Sequence, residues 1–489
     1  MKKIGVFLVL LSMLLWSGKG VRASSGDEDL RSLVHQLLKE VQELKKENAE
    51  LKRELEQIKA QRVPPSSSPP SRVSYPPKKK PSFFSKGAYG SSPSGVDFYG
   101  FLKIDAVWQD ANAVGDEYVL WVLPEHNLHG GHKYGADSTF TINFRHSRFG
   151  FNLYKDYHRW RLFGKLEMDF YTQSHEEDTL PWNPNHSPLR ARRVFVGVEK
   201  GTWQLLAGLD WLTISQLYPH LSNFPAGTFM GNIGYRMPQI RLTKWFDLSR
   251  GRLKFEAALE KPYAFPRMEG IVWDEDPSDR AGYPGFEGRI SYTTKILGQP
   301  ALIALWGHYS EEEYDTVEGT EDADSYSLGL ELKFPLPLSF ARKAFILGEI
   351  WTGTNLDGYY TGGVNQGTRF YLDNGRYVTD LRTKYTNGGK IKDVDEIDAR
   401  GGWVELEIFW TPKLVTHLGW GIDNPDDGDL KGVSGARLQQ QMYYANFLYR
   451  FTREFALGGE YMYIDCDYRK SDGDDGRLNR FMTSFYYFF

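Results

Sequence analysis

The 489-residue sequence contains very little of what marks several common classes of protein. It has a single cysteine, Cys466, so no disulfide can form within one chain. No run of eighteen or more apolar residues occurs, which excludes a protein that crosses a membrane with helices. The formal net charge of −4 is too small to indicate a nucleic-acid partner.

The sequence motifs of the common enzymes are also missing. There is no G-x-S-x-G, no H-E-x-x-H and no phosphate-binding glycine loop, and His175-Glu176-Glu177 lacks the second histidine of a zinc hydrolase. Two acidic segments, 423–429 and 472–476, could supply calcium ligands, but Pro425 stands where an EF-hand needs one. We interpret both segments as solvated turns, and we expect no enzyme activity, no cofactor and no metal site.

The first 23 residues have the pattern of a signal peptide. Lys2 and Lys3 precede an apolar run, 4–16, that is too short to span a bilayer as a helix. Val21 and Ala23 are the small residues of a cleavage site, so we predict export and cleavage after Ala23. The alternative is an uncleaved N-terminal anchor.

A heptad repeat follows, and it predicts an α-helical coiled coil over 24–62. Glutamates at g positions lie five residues before lysines at e positions, the spacing of ion pairs in a parallel coiled coil. Asn48 at an a position favours a dimer, whereas Leu33 and Leu38 widen the apolar face and favour a third strand. The repeat alone leaves dimer or trimer open. Its apolar core positions are Leu30, Val34, Leu37, Val41, Leu44, Leu51, Leu55 and Ile58.

A segment rich in proline and serine, 63–95, predicts a linker because it cannot sustain a helix. Its basic run, 78–80, is consistent with a solvated spacer. The alternative is a contact with an anionic cell-wall polymer such as peptidoglycan, or with lipid headgroups.

From Val96 to the end, apolar and polar residues alternate with period two, which predicts a transmembrane β-barrel over 96–489. In 203–211 the apolar face begins and ends with tryptophan, as in a strand that crosses a membrane between two aromatic girdles. The chain closes on an aromatic segment, 481–489, whose alternate residues would face lipid as the last strand pairs with the first. The fold class is therefore an all-β antiparallel barrel.

We count about sixteen strands in this region, starting near 97, 139, 159, 189, 203, 236, 251, 285, 300, 324, 342, 401, 414, 439, 455 and 477. Short and long connections alternate. In such barrels the short turns lie in the periplasm and the long loops outside. The start of the first strand and the end of the last strand are then expected on the periplasmic side of the outer membrane of a Gram-negative bacterium. The coiled coil, which precedes the first strand, is expected in the periplasm as well.

Basic residues are concentrated in the first half of the barrel, and the alternation turns many of them inward. A row of arginines would attract small anions, because a guanidinium is always charged and its fork fits a carboxylate or a phosphate. Glu167 and Asp169 could hold these side chains in place. The alternative is that the charges only solvate and cross-link the wall. The predicted pore-lining residues for anion selectivity are Lys103, Arg148, Arg161, Lys165, Arg193, Arg236 and Arg241.

The loop 214–235 is unusually apolar for an exposed segment. We expect it to fold into the pore as a constriction. The alternative is that it packs at a subunit interface.

Several short motifs along the barrel resemble the DcaP-like family of trimeric outer-membrane porins and, more distantly, the phosphate-selective porins. The resemblance implies a homotrimer with one pore per subunit, passive uptake of small anions such as dicarboxylates, and a trimeric coiled coil. It carries Arg148, Arg236 and Arg241 over as pore residues, whereas the acidic second half of this barrel departs from a simple anion channel. The matching stretches are 98–105, 147–151, 234–241, 457–461 and 478–481.

Two functions therefore compete. The first is a porin for small hydrophilic, anionic solutes, with further copies of the chain, outer-membrane lipid and the solutes as its partners. The second is a structural or adhesive outer-membrane protein that tethers the membrane to peptidoglycan through the helix and the basic linker.

Overall fold

The computed structural model describes residues 94–489, with gaps at 116–117, 126–127, 130–131, 134–136, 172–186, 224–226, 229, 264–275, 361–364, 380–387 and 470–474. The predicted signal peptide, coiled coil and most of the linker lie outside the described residues. They remain predictions.

Sixteen strands of the described residues form the barrel, and they begin within a few residues of the starts that the alternation predicts. In β10 the difference is largest, because the strand begins at Gly319 rather than near 324. The strands are β1 (Ser94–Gln109), β2 (in two pieces, Thr139–Asn143 and Arg148–Tyr157), β3 (Trp160–Asp169), β4 (Arg190–Lys200), β5 (Trp203–Trp211), β6 (Arg236–Leu248), β7 (Gly251–Glu260), β8 (Gly285–Ile296), β9 (Gln299–Thr316), β10 (Gly319–Leu336), β11 (Lys343–Thr354), β12 (Asp398–Phe409), β13 (Leu414–Pro425), β14 (Arg437–Arg450), β15 (Phe455–Tyr468) and β16 (Gly476–Phe488).

Each strand pairs antiparallel with its neighbours in the chain, and the sheet closes on itself. β1 pairs on one side with both pieces of β2 and on the other with β16, where Phe101 lies opposite Phe488 and Gln109 opposite Arg480. The predicted closed, antiparallel, sixteen-stranded barrel is therefore confirmed. Closure matters physically because it leaves no strand edge with unpaired backbone groups.

Side chains alternate between the two faces of the wall, as the period-two pattern predicts. In β1, Leu102 exposes 53 % of its surface on the outer face whereas the next residue, Lys103, is fully buried inside. The same alternation gives β16 an outer row of Phe481, Phe485 and Tyr487. Apolar side chains outside and polar ones inside are the arrangement of a barrel that stands in lipid.

Short connections gather at one end of the barrel and longer ones at the other. The connections after β2, β4, β6 and β8 contain only two residues each. At the opposite end the connection after β11 folds into a small sheet of its own, built from Thr368–Leu372, Tyr377–Val378 and Ile391–Glu396. One connection at that end departs from the expected pattern, because the long hairpin of β9 and β10 turns within two residues.

Two helices of one turn each, Pro277–Arg280 and Asp357–Tyr360, lie in the long connections. None of the helices in the described part of the chain has the length and apolar character needed to cross a membrane.

The last residue is part of the closure. The backbone N–H of Gly100 donates to the carbonyl of Phe489 at 3.2 Å, and the N–H of Phe489 donates back at 3.1 Å. The Phe489 ring also stacks on Phe98 with 5.1 Å between ring centres.

Deleting Phe489 should therefore lower the free energy of unfolding of the refolded barrel by roughly 2 kcal/mol, because two backbone hydrogen bonds are lost. Denaturant titration in detergent measures this change. Phe489→Ala is the matched variant, since it keeps both bonds and removes only the ring, and its cost should be smaller. Equal stability of the deletion variant and the full chain would contradict this account of closure.

Candidate functional site

The connection between β5 and β6, residues 212–235, is called L3 below, and its described part lies inside the barrel. Leu212, Ile214 and Ile233 are fully buried in an apolar cluster with inward-facing Trp306 and Trp351 of the wall. The expected infolding of this loop is thus observed, and its described residues do not lie on the outer surface where a subunit interface would form. Phe224 and Phe229, which are also part of its apolar character, lie outside the described residues.

L3 is held by carboxylates that project inward from strands β7 to β15 of the wall. The backbone N–H groups of Ser222 and Asn223 donate to Glu460 at 2.6 and 2.9 Å. His220 donates its backbone N–H to Glu405 at 2.7 Å. Counted over the described residues, seven carboxylates accept hydrogen bonds from L3. They are Glu256 in β7, Glu287 in β8, Glu331 in β10, Glu349 in β11, Glu405 in β12, Asp423 in β13 and Glu460 in β15.

We call these seven residues the acidic wall. Hydrogen bonds contribute about 0.5–1.5 kcal/mol each, and about 1.5–3 kcal/mol where the acceptor is charged, so the set fixes the course of L3 across the bore. Wall cations neutralise part of the charge. Arg289 bonds to both Glu256 and Glu331, and Lys254 lies 2.7 Å from Glu256.

The opposite side of the bore carries a cluster of seven cationic side chains drawn from the described residues of β2, β3, β4 and β6. Three carboxylates of the described residues, Glu167, Asp169 and Asp210, bond to them or lie in ion-pair contact with them. The basic residues outnumber these acids, so this side has a positive excess. We call this set the basic wall, and it consists of Arg148, Lys165, Arg190, Arg192, Arg193, Arg236 and Arg241.

The three carboxylates of this region orient the guanidinium groups. Asp169 accepts from Arg190 at 3.0 Å and from Arg192 at 2.7 Å. Asp210 similarly accepts from Arg193 at 2.6 Å and from Arg241 at 2.9 Å. At Asp210 two arginines share one carboxylate, so the positive charges outnumber the negative charge of that carboxylate.

Aromatic rings support the remaining cations of the basic wall. The guanidinium of Arg236 lies 5.1 Å from the ring centre of Trp211 and 4.9 Å from that of Tyr235. The ammonium of Lys165 lies 4.4 Å from the ring centre of Tyr99 and donates to its hydroxyl at 2.8 Å. Such contacts hold the charge in place without neutralising it.

The pKa values of two tyrosines in L3 shift in opposite directions, because one lies among carboxylates and the other among guanidinium groups. Burial raises the pKa of Tyr218 well above its ordinary value, and the charges of Glu349 and Glu331 raise it further. Burial would also raise the pKa of Tyr235, but the guanidinium groups of Arg236, Arg190 and Arg192 outweigh it and lower the pKa. A buried phenol that becomes more acidic is the expected sign of a site that favours anions.

The structure brings together five of the seven predicted pore residues, namely Arg148, Lys165, Arg193, Arg236 and Arg241. Arg161 faces inward but lies at the beginning of β3, about 13 Å along the strand from Lys165, with its guanidinium over the ring of Tyr154.

Lys103 differs from the expectation of a pore-lining residue. It is fully buried, and its ammonium donates to the carbonyl of Ser222 at 2.6 Å and lies 3.1 Å from Asp105. Its charge anchors L3 from the side of β1. The sequence pattern could not show this, because the partner is a backbone atom 119 residues away.

The sequence pattern also did not predict the role of the acidic wall. Alternation predicts inward-facing carboxylates in strands such as β12, but it does not predict that a loop from the first half of the barrel covers them. The prediction of a solvated turn over 423–429 was wrong at Asp423, which lies in β13 and is fully buried. The available signal was the absence of Asp, Glu, Lys and Arg from 212–235, because the backbone N–H groups of such a segment need acceptors from elsewhere once it is buried.

The closed antiparallel barrel of sixteen strands, with an inward loop after the fifth, is a porin-like fold that resembles the barrels of outer-membrane channels. Searches with protein-family models and among curated proteins give no match to this sequence. Solved structures share the fold. The outer-membrane channel DcaP of Acinetobacter baumannii superposes with a TM-score of 0.60 at 16 % identity, covering 81 % of this chain and 97 % of that one.

An anion-selective porin from Comamonas acidovorans is also similar, with a TM-score of 0.49 at 11 % identity, covering 81 % of this chain and all of that one. The resemblance of the sequence motifs to DcaP-like porins thus holds at the level of the fold.

Replacing Glu460 by alanine should release L3 from β15, because the N–H groups of Ser222 and Asn223 lose their acceptor. Amide hydrogen exchange of these two residues should become faster by about tenfold or more, as expected from the loss of charged hydrogen bonds. Glu454→Ala, in the exposed turn before β15, is the control and should leave the exchange unchanged. If exchange in L3 does not respond to Glu460→Ala, the acidic wall does not hold the loop.

Proposed function

We propose that this chain is an outer-membrane porin through which small hydrophilic solutes diffuse, with a preference for anions such as dicarboxylates. The observation that carries the proposal is the unequal exposure of the two charged walls. L3 lies against the acidic wall and leaves the basic wall as the charged lining of the remaining bore.

The burial of individual side chains supports this division. Glu331, Glu349, Glu405 and Asp423 are almost completely buried beneath L3. On the basic wall the side chains of Arg148, Arg190 and Arg193 stay between 21 and 24 % exposed, whereas Arg192 and the predicted pore residue Arg236 are buried. A solute that passes between L3 and the wall therefore meets guanidinium groups rather than carboxylates, although the barrel as a whole is rich in acids.

The basic wall also suits passage rather than tight capture. Guanidinium forks bind carboxylates with two parallel hydrogen bonds, which favours dicarboxylates over neutral solutes of the same size. Asp169 and Asp210 compete for the same forks. Conduction needs binding that is favourable enough for entry and weak enough for release, and this competition provides it.

The assembly and the location form part of the proposal. In it, residues 1–23 direct export, residues 24–62 form a periplasmic coiled coil that joins three barrels, and residues 63–95 connect the coil to each barrel. The partners are two further copies of the chain, outer-membrane lipid and the anionic solutes, with peptidoglycan as a further partner of the helix and the basic linker.

Neutralising the basic wall should reduce anion preference. The double variant Arg148→Ala/Arg241→Ala removes two of its seven cations, so the chloride-to-potassium permeability ratio should fall several-fold as the potential of the bore becomes less positive. Reversal potentials of the reconstituted full chain in a salt gradient across a planar bilayer measure the ratio.

Arg252→Ala is the matched control for that experiment. Arg252 is more than half exposed in the turn region between β6 and β7 and pairs with Asp247, so its loss should leave the permeability ratio unchanged. A double variant with the ratio of the wild type would remove Arg148 and Arg241 from the selectivity site. A wild-type channel that prefers cations would overturn the proposed anion preference, but the proposal that the chain is a porin would still hold.

Uptake by proteoliposomes tests the solute class. Succinate should enter faster than a neutral polyol of similar size, and the double variant should lose most of that difference because the wall no longer binds carboxylates. A barrel that folds but admits neither solute would refute the porin proposal and favour the alternative, a structural tether between the membrane and the cell wall.

A further inference from the structure

Two histidines and a glutamate meet where L3 touches the wall, near the end of the barrel that carries the short turns. His220 belongs to L3, Glu407 to β12 and His417 to β13. One ligand atom from each residue lies within 4.8 Å of the other two. Glu407 and His417 are almost buried, whereas the His220 side chain is 42 % exposed toward the bore.

When both rings are neutral, the hydrogen bonds around the histidines place the proton of each ring on Nδ1 and leave Nε2 without one. His220 Nδ1 lies 2.6 Å from the carboxylate of Glu405, an acceptor, so this nitrogen carries the hydrogen. His417 Nδ1 likewise donates to the side-chain oxygen of Asn446 at 2.7 Å. The amide of Asn446 is oriented by its own donation to the carbonyl of His220 at 2.6 Å.

Both Nε2 atoms therefore present lone pairs, and both lie beside the same oxygen. Glu407 Oε1 is 3.8 Å from His220 Nε2 and 3.7 Å from His417 Nε2. Ligands of one tetrahedral zinc ion lie about 3.4 Å apart, given metal–ligand distances of about 2.0–2.1 Å. Each nitrogen needs to approach the oxygen by only a few tenths of an ångström, whereas the ligand atoms of the two histidines, which lie within 4.8 Å of each other, must also move closer together to share an ion.

The orientation of the rings defines the one movement that binding requires. His220 and His417 stack with 4.7 Å between ring centres and 14° between their planes. Lone pairs in parallel planes do not converge, so one ring must tilt. His220 can do so because it lies on a loop and faces the bore on one side, while the Glu405 contact at Nδ1 serves as the pivot.

The net charge around the three residues is negative, which favours a divalent cation. Glu405 and Glu407 contribute two negative charges, and Lys333, 2.9 Å from the other oxygen of Glu407, contributes one positive charge. Tyr444 donates its hydroxyl to Glu405 at 2.6 Å and adds no charge at neutral pH. Two imidazoles and one carboxylate suit zinc and its transition-metal neighbours rather than calcium or magnesium, which prefer oxygen ligands.

We propose that His220, Glu407 and His417 bind one zinc-class divalent ion per subunit, with water in the fourth position facing the bore. Glu405 and Asn446 hold the ligating rings from behind, as acceptors do at established histidine sites. The ion would join L3 to β12 and β13 and so tie the constriction loop to the wall. The site is independent of the proposed solute preference.

The test is zinc binding by the purified full chain in detergent, by equilibrium dialysis against Zn²⁺ followed by elemental analysis. The wild type should retain one zinc per subunit, and an excess of Ca²⁺ or Mg²⁺ should not displace it. His220→Ala and His417→Ala should each weaken binding by more than tenfold. X-ray absorption of the loaded wild type should show two imidazole ligands.

His158→Asn is the matched control. His158 lies in the turn between β2 and β3 with a positive φ of 53°, which asparagine adopts readily, and it is far in sequence from the three ligands. Its zinc content should equal that of the wild type. If His417→Ala prevents folding, the His220→Ala variant tests the site by itself. It is expected to fold because His220 lies on the loop and is partly exposed. Wild-type zinc content no higher than that of the folded His220→Ala variant would refute the site.

Discussion

The structure depends on backbone amides of one loop donating to carboxylates of the opposite wall. A loop of more than twenty residues inside a barrel must find partners for its own N–H groups, because an unsatisfied buried amide costs about 1–3 kcal/mol. Here Glu405, Glu460 and their neighbours supply acceptors that water would otherwise provide. The same bonds place L3, cover the acids and leave the arginines facing the bore.

Electrostatic character thus follows from the position of the loop rather than from composition. The chain is slightly acidic overall, with 63 acidic and 59 basic residues, and composition alone does not predict an anion pathway. An acid that accepts hydrogen bonds from L3 presents little charge to a passing solute. An arginine that shares Asp210 with another arginine still presents a net positive potential. The opposite pKa shifts of Tyr218 and Tyr235 express this division within one loop.

Much of the barrel could be predicted from sequence because a strand in a membrane wall has few options. Alternation within β1 already separates Leu102 from Lys103, and the same rule gives sixteen strands and the lipid-facing row that ends at Phe489. The rule could not give the partner of Lys103, which is the carbonyl of Ser222 on a loop more than a hundred residues later. Alternation assigns a face, and it carries no information on what lies across the bore.

The sequence by itself determined the strand order, the two faces of the wall and the residue types that point inward, since each of these is set by neighbours along the chain. Only the tertiary structure decided which inward charges remain available. His220 meets His417 and Glu407 across almost two hundred residues, and Arg161 is separated from the arginines it accompanies in sequence. Both outcomes depend on where L3 lies across the closed barrel, and that position results from hydrogen bonds between distant strands.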